Sequence, residues 1–431
     1  MKYKQKDKKN QRIQQITERT LIVGADIAKK THYARAVDFR GIELGKRCIF
    51  DNQRQGLLKL VLWMKELQRV HGKSDILFGI EPTGHYWFPL AEFLRTKGIK
   101  VVLVNPHHVN KSKELEDNSQ TKNDLKDAKV IANLIKNGDY TEPKLPTGIF
   151  ADLRVLMNLR EKVSNSMNQV KIRVQNWLDR FFPEYSQVFT KWDGKASLMT
   201  LREFPLPQEI VSLGAEEILR RWKTEVKRAV GIKRARKLVE TASMSIGLTE
   251  GCAGAKLELT VLLDQYDLYT KQLEQIMDEV QTLLNRIPGT KEMMSVPGVA
   301  EVTLAGFLAE VGNLEDYTHP QQIIRLAGLN LRENSSGKHK GKTTISKRGR
   351  SRLRALLFRC VLPMVSKNQE FKYLHDYYTK RKEKPLKKKQ SIIALCGKLI
   401  RVLYYLGTRK QAYNAQDVLG PMHSTQEQLA A

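Results

Sequence analysis

Cysteine is scarce and scattered in this sequence. The 431 residues hold four, Cys48, Cys252, Cys360 and Cys396, with no Cys-x-x-Cys pair. That spacing argues against a disulfide framework and against structural zinc, and fits a reducing compartment. No run of about 18 apolar residues occurs, so no bilayer-spanning helix and no membrane partner are expected. The opening residues, Met1 to Lys6, lack the apolar stretch of a secretory leader, and the expected location is cytoplasmic. Acids are in short supply as well: 46 Asp and Glu face 74 Lys and Arg, for a formal net charge of +28. Such an excess gains nothing in folding. It points to a polyanionic partner, nucleic acid before a membrane surface.

Where the few acids fall is therefore informative. The run Leu21 to Ala28 reads as a strand buried on both faces and broken once, by Asp26. A buried carboxylate is costly unless something positive compensates it. A second apolar run, Asp75 to Ile80, ends on Glu81-Pro82-Thr83-Gly84, an acid where a strand gives way to a turn. Asp124 and Asp127 then sit three apart on a helical pattern and share one face, where like charges repel unless a cation lies between them. Oxygen ligands of this kind suit Mg²⁺, and four carboxylates can hold two ions about 3.5–4 Å apart for phosphoryl transfer. Taken singly, each acid also has a plain structural reading: Asp26 as a turn residue, Glu81 as a solvated strand end, Asp124 as a helix N-cap.

The chain falls into five segments by texture. Residues 1–20 form a basic, flexible arm. Residues 21–145 read as α/β: the Asp26 strand, hairpin strands Thr31 to Asp38 and Ile42 to Phe50 around Arg40-Gly41, a helix from Gly56 to Val70, the Ile76 strand, a helix from Tyr86 to Thr96, and the Val101 to Val104 strand. Three meandering strands followed by alternating helices and strands predict a mixed sheet of the ribonuclease H type. Residues 146–290 are helical. The stripe Leu259, Leu262, Tyr266, Tyr269, Leu273, Ile276, Val280, Leu283 and Ile287 alternates steps of three and four and ends at Pro288-Gly289. That is a coiled-coil pattern, satisfied by a second copy of the chain or by an intramolecular hairpin, with self-association favoured. A basic helical insert lies around Arg220 to Lys223.

Residues 291–410 are mainly helical and 411–431 form a tail. Ser295-Val296-Pro297-Gly298-Val299 resembles a helix-hairpin-helix turn, in which Gly298 would let backbone N–H groups approach a phosphate. A flexible basic loop follows, with Ser335 and Ser336 beside Lys338, Lys340 and Lys342. Further on come Lys347, Arg348 and a helix bearing Arg350, Arg352, Arg354 and Arg359, then a cationic run containing Lys387, Lys388 and Lys389. These cations are read as phosphate contacts, against the alternative of solvated loops.

The combination of Gly24 to Lys29, Glu81 to Tyr86, Asn105-Pro106, Thr121 to Ala128 and Leu326-Ala327-Gly328-Leu329 resembles the DEDD transposases of bacterial insertion sequences, relatives of the Piv DNA invertase. The likeness covers about residues 21 to 370. It implies a RuvC-like N-terminal catalytic domain and a separate C-terminal transposase domain. It also implies a metal-binding tetrad at Asp26, Glu81, Asp124 and Asp127, loaded with Mg²⁺, for which Mn²⁺ can substitute. The serine of a Ser-Gly step falls on Ser336, with Ser335 one residue away. The implied activity is cutting and rejoining of DNA through a covalent DNA–serine intermediate, guided in some relatives by a structured RNA and carried out by multimers. Two other readings stay open: a junction-selective nuclease that uses the same acids with water, and a non-catalytic nucleic-acid-binding protein.

Overall fold

Alternation along the first strand sets the architecture of the N-terminal half. In β1 (Thr20–Asp26), Leu21, Val23 and Ala25 join one hydrophobic cluster and Ile22 joins another, and all four are fully buried. A strand apolar on both faces has to be central and covered on both sides. A computed structural model describes residues 9–82, 84–116, 124–143, 146–226, 230–332, 335–336, 339–341 and 343–419, and the chain divides into two units, Met1–Leu145 and Pro146–Ala431.

The first unit is built on a six-stranded open sheet of order β3-β2-β1-β4-β5-β6. Residues 9–14 are the described part of a helix, α1. After β1 come β2 (Thr31–Val37), β3 (Cys48–Asp51), α2 (Arg54–His71), β4 (Asp75–Ile80), α3 (Trp87–Thr96), β5 (Lys100–Val104), α4 (Pro106–Glu116), α5 (Asp124–Lys136) and β6 (Tyr140–Thr141). β2 runs antiparallel to both β1 and β3, β4 runs parallel to β1 and β5, and β6 is antiparallel to β5. Helices α2 and α3 cover one face through Leu60, Met64, Leu90 and Leu94. Helices α4 and α5 cover the other through Val109, Ile131 and Ile135.

Two expectations need correction here. The strand expected from Ile42 to Phe50 is broken: Gly41 and Gly45 both take positive φ, a single bridge joins Val37 to Glu43, and pairing resumes only at Cys48. The basic arm is not all flexible either. Lys9 Nζ lies 2.7 Å from Asp139 Oδ1, and the Arg12 guanidinium sits 5.3 Å from the Tyr140 ring centroid, so an acid and a ring at the sheet edge hold α1.

The second unit is helical apart from short ladders. It contains α6 (Ile149–Phe181), α7 (Lys195–Glu203), α8 (Pro207–Glu225), α9 (Ile232–Ser243), α10 (Cys252–Asn285), α11 (Thr290–Met294), α12 (Glu301–Val311), α13 (Pro320–Leu326), β7 (Leu331–Arg332), β8 (Ser335–Ser336), β9 (His339–Lys340), β10 (Thr344–Ile345), α14 (Ser351–Lys367), α15 (Gln369–Lys380), α16 (Lys388–Arg409) and α17 (Ala415–Leu419). The heptad stripe of α10 finds its mate in the same chain. It packs along α6, with Leu259 and Leu262 in the aromatic core around Trp177 and Trp222, and Ile276, Val280 and Leu283 in the C-terminal core with Leu153 and Val163. The two helices run antiparallel, since Trp177 Nε1 near the end of α6 donates to Ala255 O near the start of α10 at 2.8 Å.

The loop expected around the serines is two short ladders, β7 with β10 and β8 with β9. Nor is the start of the tail loose: Val418 is buried, and Tyr413 N donates to Ser295 Oγ at 3.1 Å. By length and composition α16 could cross a bilayer, an exception to the sequence expectation, yet Leu395, Leu399, Ile400 and Leu403 are fully buried in the unit's core. Replacing Gly24 with alanine is expected to destabilise the first unit by about 1–3 kcal/mol or more, because a Cβ there would lie 2.2 Å from the Ala128 carbonyl oxygen of α5. Urea unfolding of the full chain measures this, and an unchanged midpoint would contradict that contact.

Candidate active site

Strand parity brings the first two acids together. Ala25 stands opposite Ile80 in the parallel β1–β4 pair, so Asp26 and Glu81 are the next residues in register, at the C-terminal ends of the two central strands. On β1, Asp26 shares the side of Ile22 and Gly24; past β4, Glu81 continues the side of Leu77 and Gly79. That side carries α5. A Cβ at residue 24 would also meet the Ala132 amide nitrogen at 2.4 Å, so α5 lies backbone to backbone on β1 at its glycine. The approach puts Asp127 within electrostatic reach of Glu81, as Asp26 also is.

Glu81 is only 8% exposed. Burial pushes its carboxyl above the usual range, the Lys113 ammonium pulls it back, and the charges of Asp26 and Asp127 push it up again. Lys113, near the end of α4, donates directly to Asp127 Oδ2. Asp26 is half-buried and engaged in an interaction of its own. Asp124 is the first residue of α5, and its side chain lies outside the described residues.

The donor chemistry suits a hard divalent cation: oxygen ligands crowded so that their charges oppose one another. Among the described residues, however, no three His, Cys, Asp or Glu side chains stand close enough to hold one ion. A cation is already present at Asp127 in the form of Lys113. Sequence reasoning missed this residue because α4 was not anticipated. Asn105-Pro106 carried the signal, since proline suits a first helical position and the Asn105 side chain accepts from His107 N at 2.9 Å. His32 was missed too. It is buried on β2, and its Nδ1 accepts from Ala28 N at 3.2 Å, turning the chain just beyond Asp26.

In the second unit, Ser335 and Ser336 form β8, paired with Lys340 and His339 respectively. The side chains of Ser335, Ser336 and Lys340, and the whole of Lys338 and Lys342, lie outside the described residues. Gly298 has φ +99°, and a Cβ there would meet Met364 Cγ at 2.8 Å, so the glycine is required by the packing of α14. Several cations expected on phosphate are partly committed to protein. Arg350 pairs with Glu310 at 3.5 Å, Arg352 with Glu161 at 3.1 Å, and Arg354 donates to Ala327 O at 2.9 Å. Lys347, Arg348, Lys387, Lys388 and Lys389 are exposed.

Two family models match the chain: a DEDD-type IS110 model described as "Transposase" over residues 23–183, and "Transposase IS116/IS110/IS902 family" over residues 290–376. The chain is an IS110/IS902-family transposase-like protein. Among curated proteins, it is 24% identical to an uncharacterised 44.8 kDa protein of insertion element IS116 from Streptomyces clavuligerus, over 91% of this chain and 95% of that one. It is 25% identical to the mini-circle putative transposase for IS117 of Streptomyces coelicolor, over 72% and 78% of the two chains. It is 23% identical to the pilin gene-inverting protein of Moraxella bovis, over 89% and 94%, a distant relationship to DNA invertases. These similarities support an enzyme that acts on DNA by phosphoryl transfer.

The raised Glu81 carboxyl has a thermodynamic consequence. A carboxyl whose folded pKa exceeds its unfolded value of 4.5 favours the fold below that value, and this contribution is lost as pH rises through the folded pKa. At neutral pH, in EDTA, Glu81→Gln should therefore melt a few degrees above the parent and lose the fall in stability above about pH 4.5 that this group imposes. Identical melting curves across that range would show that Glu81 carries no such charge penalty.

Proposed function

We propose that the chain is a DNA transposase or site-specific recombinase of an insertion sequence, working through a metal-loaded acidic tetrad and a serine nucleophile. The observation that supports this reading is the β1–β4 register, which sets Asp26 and Glu81 side by side at the C-terminal ends of the two strands, with α5 and its Asp127 packed on the same face. The strand order, with an antiparallel meander beside parallel β1, β4 and β5, supports a ribonuclease H fold of the RuvC type for residues 21–145. Residues 146–290 then serve as a helical coiled-coil region with an insert, and residues 291–410 as the transposase domain.

Asp26, Glu81 and Asp127 would hold Mg²⁺ or Mn²⁺, with Asp124 as the fourth ligand and two ions in the loaded site. When bound, the metal supplies positive charge at the scissile phosphate and eases loss of the serine proton. Lys113 keeps Asp127 neutralised until then. Ser336 Oγ attacks the phosphorus and forms a new P–O bond as the bond to one deoxyribose oxygen breaks. The serine proton passes to a basic group and the leaving oxygen gains one. The phosphodiester energy is kept in the DNA–serine linkage, so a deoxyribose hydroxyl from another strand can reverse the step without ATP.

Gly298, Lys338, Lys340, Lys342, Lys347, Arg348, Arg350, Arg352, Arg354, Lys387, Lys388 and Lys389 are assigned to nucleic-acid contact, on charge and sequence position. A structured guide RNA fits a chain this basic that carries few base-reading motifs. Homo-oligomers would let the serine of one protomer serve the acids of another. The working compartment is the bacterial cytoplasm.

Ser336→Ala is expected to abolish a covalent protein–DNA adduct, lowering strand transfer by ~10³-fold or more while DNA binding persists. Adducts are read by denaturing gel after Mg²⁺ addition. Adduct formation by the variant would remove Ser336 from the mechanism, and clean hydrolysis by the parent would make the chain a nuclease. Asp26→Asn should lose activity together with Mg²⁺-dependent thermal stabilisation. By contrast, Lys113→Ala should bind Mg²⁺ several-fold more tightly in calorimetry, because the competing ammonium is gone. Equal affinity would show that Lys113 does not compete.

A further inference from the structure

Within the second unit, α6, α12 and α14 enclose a half-open cleft of about 410 Å³. Its size falls in the range of small-ligand sites, roughly 300–1,000 Å³, and its walls mix apolar surface with a set of amides and guanidinium groups. From α6 come Asn158, Arg160, Asn165 and Asn168; from α14 come Arg352 and Arg359. Asn158, Asn165 and Asn168 share one face of α6, and Arg160 lies between that face and the Val163, Val170 and Val174 stripe that meets the unit's hydrophobic cores.

The charges of this cleft do not close. Glu161 faces Arg352 and Glu310 faces Arg350, but among the described residues no carboxylate pairs with Arg160. Its Nε is buried with no hydrogen-bond partner, an expensive state for a guanidinium donor. Burial first, and then the like charge of Arg359, disfavours the Arg160 cation; Arg154 is disfavoured by burial, with Arg350 and Arg352 adding to it. Cations crowded together in a roomy polar cleft are relieved by an anion with several acceptor oxygens. The side-chain amides beside them can both donate and accept, which suits a sugar or a base edge.

We propose that this cleft seats one nucleotide of a nucleic-acid strand, its phosphodiester against Arg160 and Arg359 and its sugar or base edge against the amides of α6. The inference rests on the nucleic-acid reading above and deepens it. It adds a strand contact from the long helix α6 to those expected of the cationic residues 332–389, with Arg359 of α14 serving the same phosphodiester.

The test is fluorescence anisotropy of the full chain with short single-stranded DNA and RNA of the same sequence, titrated over a range of salt. Arg160→Gln is compared with Lys271→Gln, an equal loss of charge on the exposed side of α10. Arg160→Gln should weaken binding by about tenfold relative to that control and reduce the log–log salt slope by roughly 0.7, one single-strand phosphate contact. Asn165→Leu, which keeps the charge, should weaken binding with the slope unchanged. Should Arg160→Gln fail to fold, Arg359→Gln carries the same comparison. The larger response, with DNA or with RNA, tells which strand occupies the cleft. Cleft variants indistinguishable from Lys271→Gln in both affinity and slope would overturn this site while leaving the recombinase reading intact. Absence of any nucleic-acid binding by the parent would overturn both.

Discussion

The absence of a side chain at residue 24 governs the N-terminal unit. Helix α5 rests on β1 with its backbone against the strand's backbone, and no other residue type leaves room for the Ala128 carbonyl. Because α5 is rigid, this one contact also fixes how far Asp127 stands from the strand ends. The parallel pairing of β1 with β4 fixes the other two acids in the same frame. Three charges are thus placed by backbone geometry, with no loop deciding their positions.

Much of this was legible in the chain itself. Apolar runs on both faces of Leu21 to Ala25 require a central strand, and the acid that ends the run is conspicuous for its cost. That Glu81 falls on the same side follows only from the pairing register of β1 with β4. What was hidden came from tertiary contact. Lys113 looks like one more lysine in a polar stretch, and only the packing of α4 beside α5 turns it toward Asp127. The heptads of α10 were read as favouring a second copy of the chain over an intramolecular hairpin, because sequence spacing shows that a mate is needed and not whose it is. Here α6 fills that role, since α6 and α10 are of nearly equal length and pass through the same two cores. The short ladders around Ser336 were missed for a different reason: two-residue strands have no period to read.

The charge surplus also looks different once the contacts are known. Arg350, Arg352 and Arg354 appeared from sequence to be a stripe facing phosphate. Each spends part of its fork on a carboxylate or a carbonyl of the second unit, which is common where guanidinium groups brace helix ends. Arg160, by contrast, lies outside the cations singled out from the sequence. Its buried, unpaired Nε is a better guide to a bound anion than any count of cations, because a solvated lysine costs nothing when alone and a desolvated donor does.

The same logic joins the two halves of the molecule as chemistry. A chain with so few acids sets Asp26 and Asp127 where their charges oppose ionisation of Glu81, and a chain rich in arginine lets several crowd around one cleft. Neither arrangement stabilises the fold, since like charges in partly buried surroundings raise its free energy. Each would be relieved by a ligand of opposite sign: a hard divalent cation at the strand ends, a phosphodiester at the cleft. On the proposed function, a ligand binding at either place would stabilise the folded chain where like charges weigh on it, so that loading of metal and strand would raise its stability.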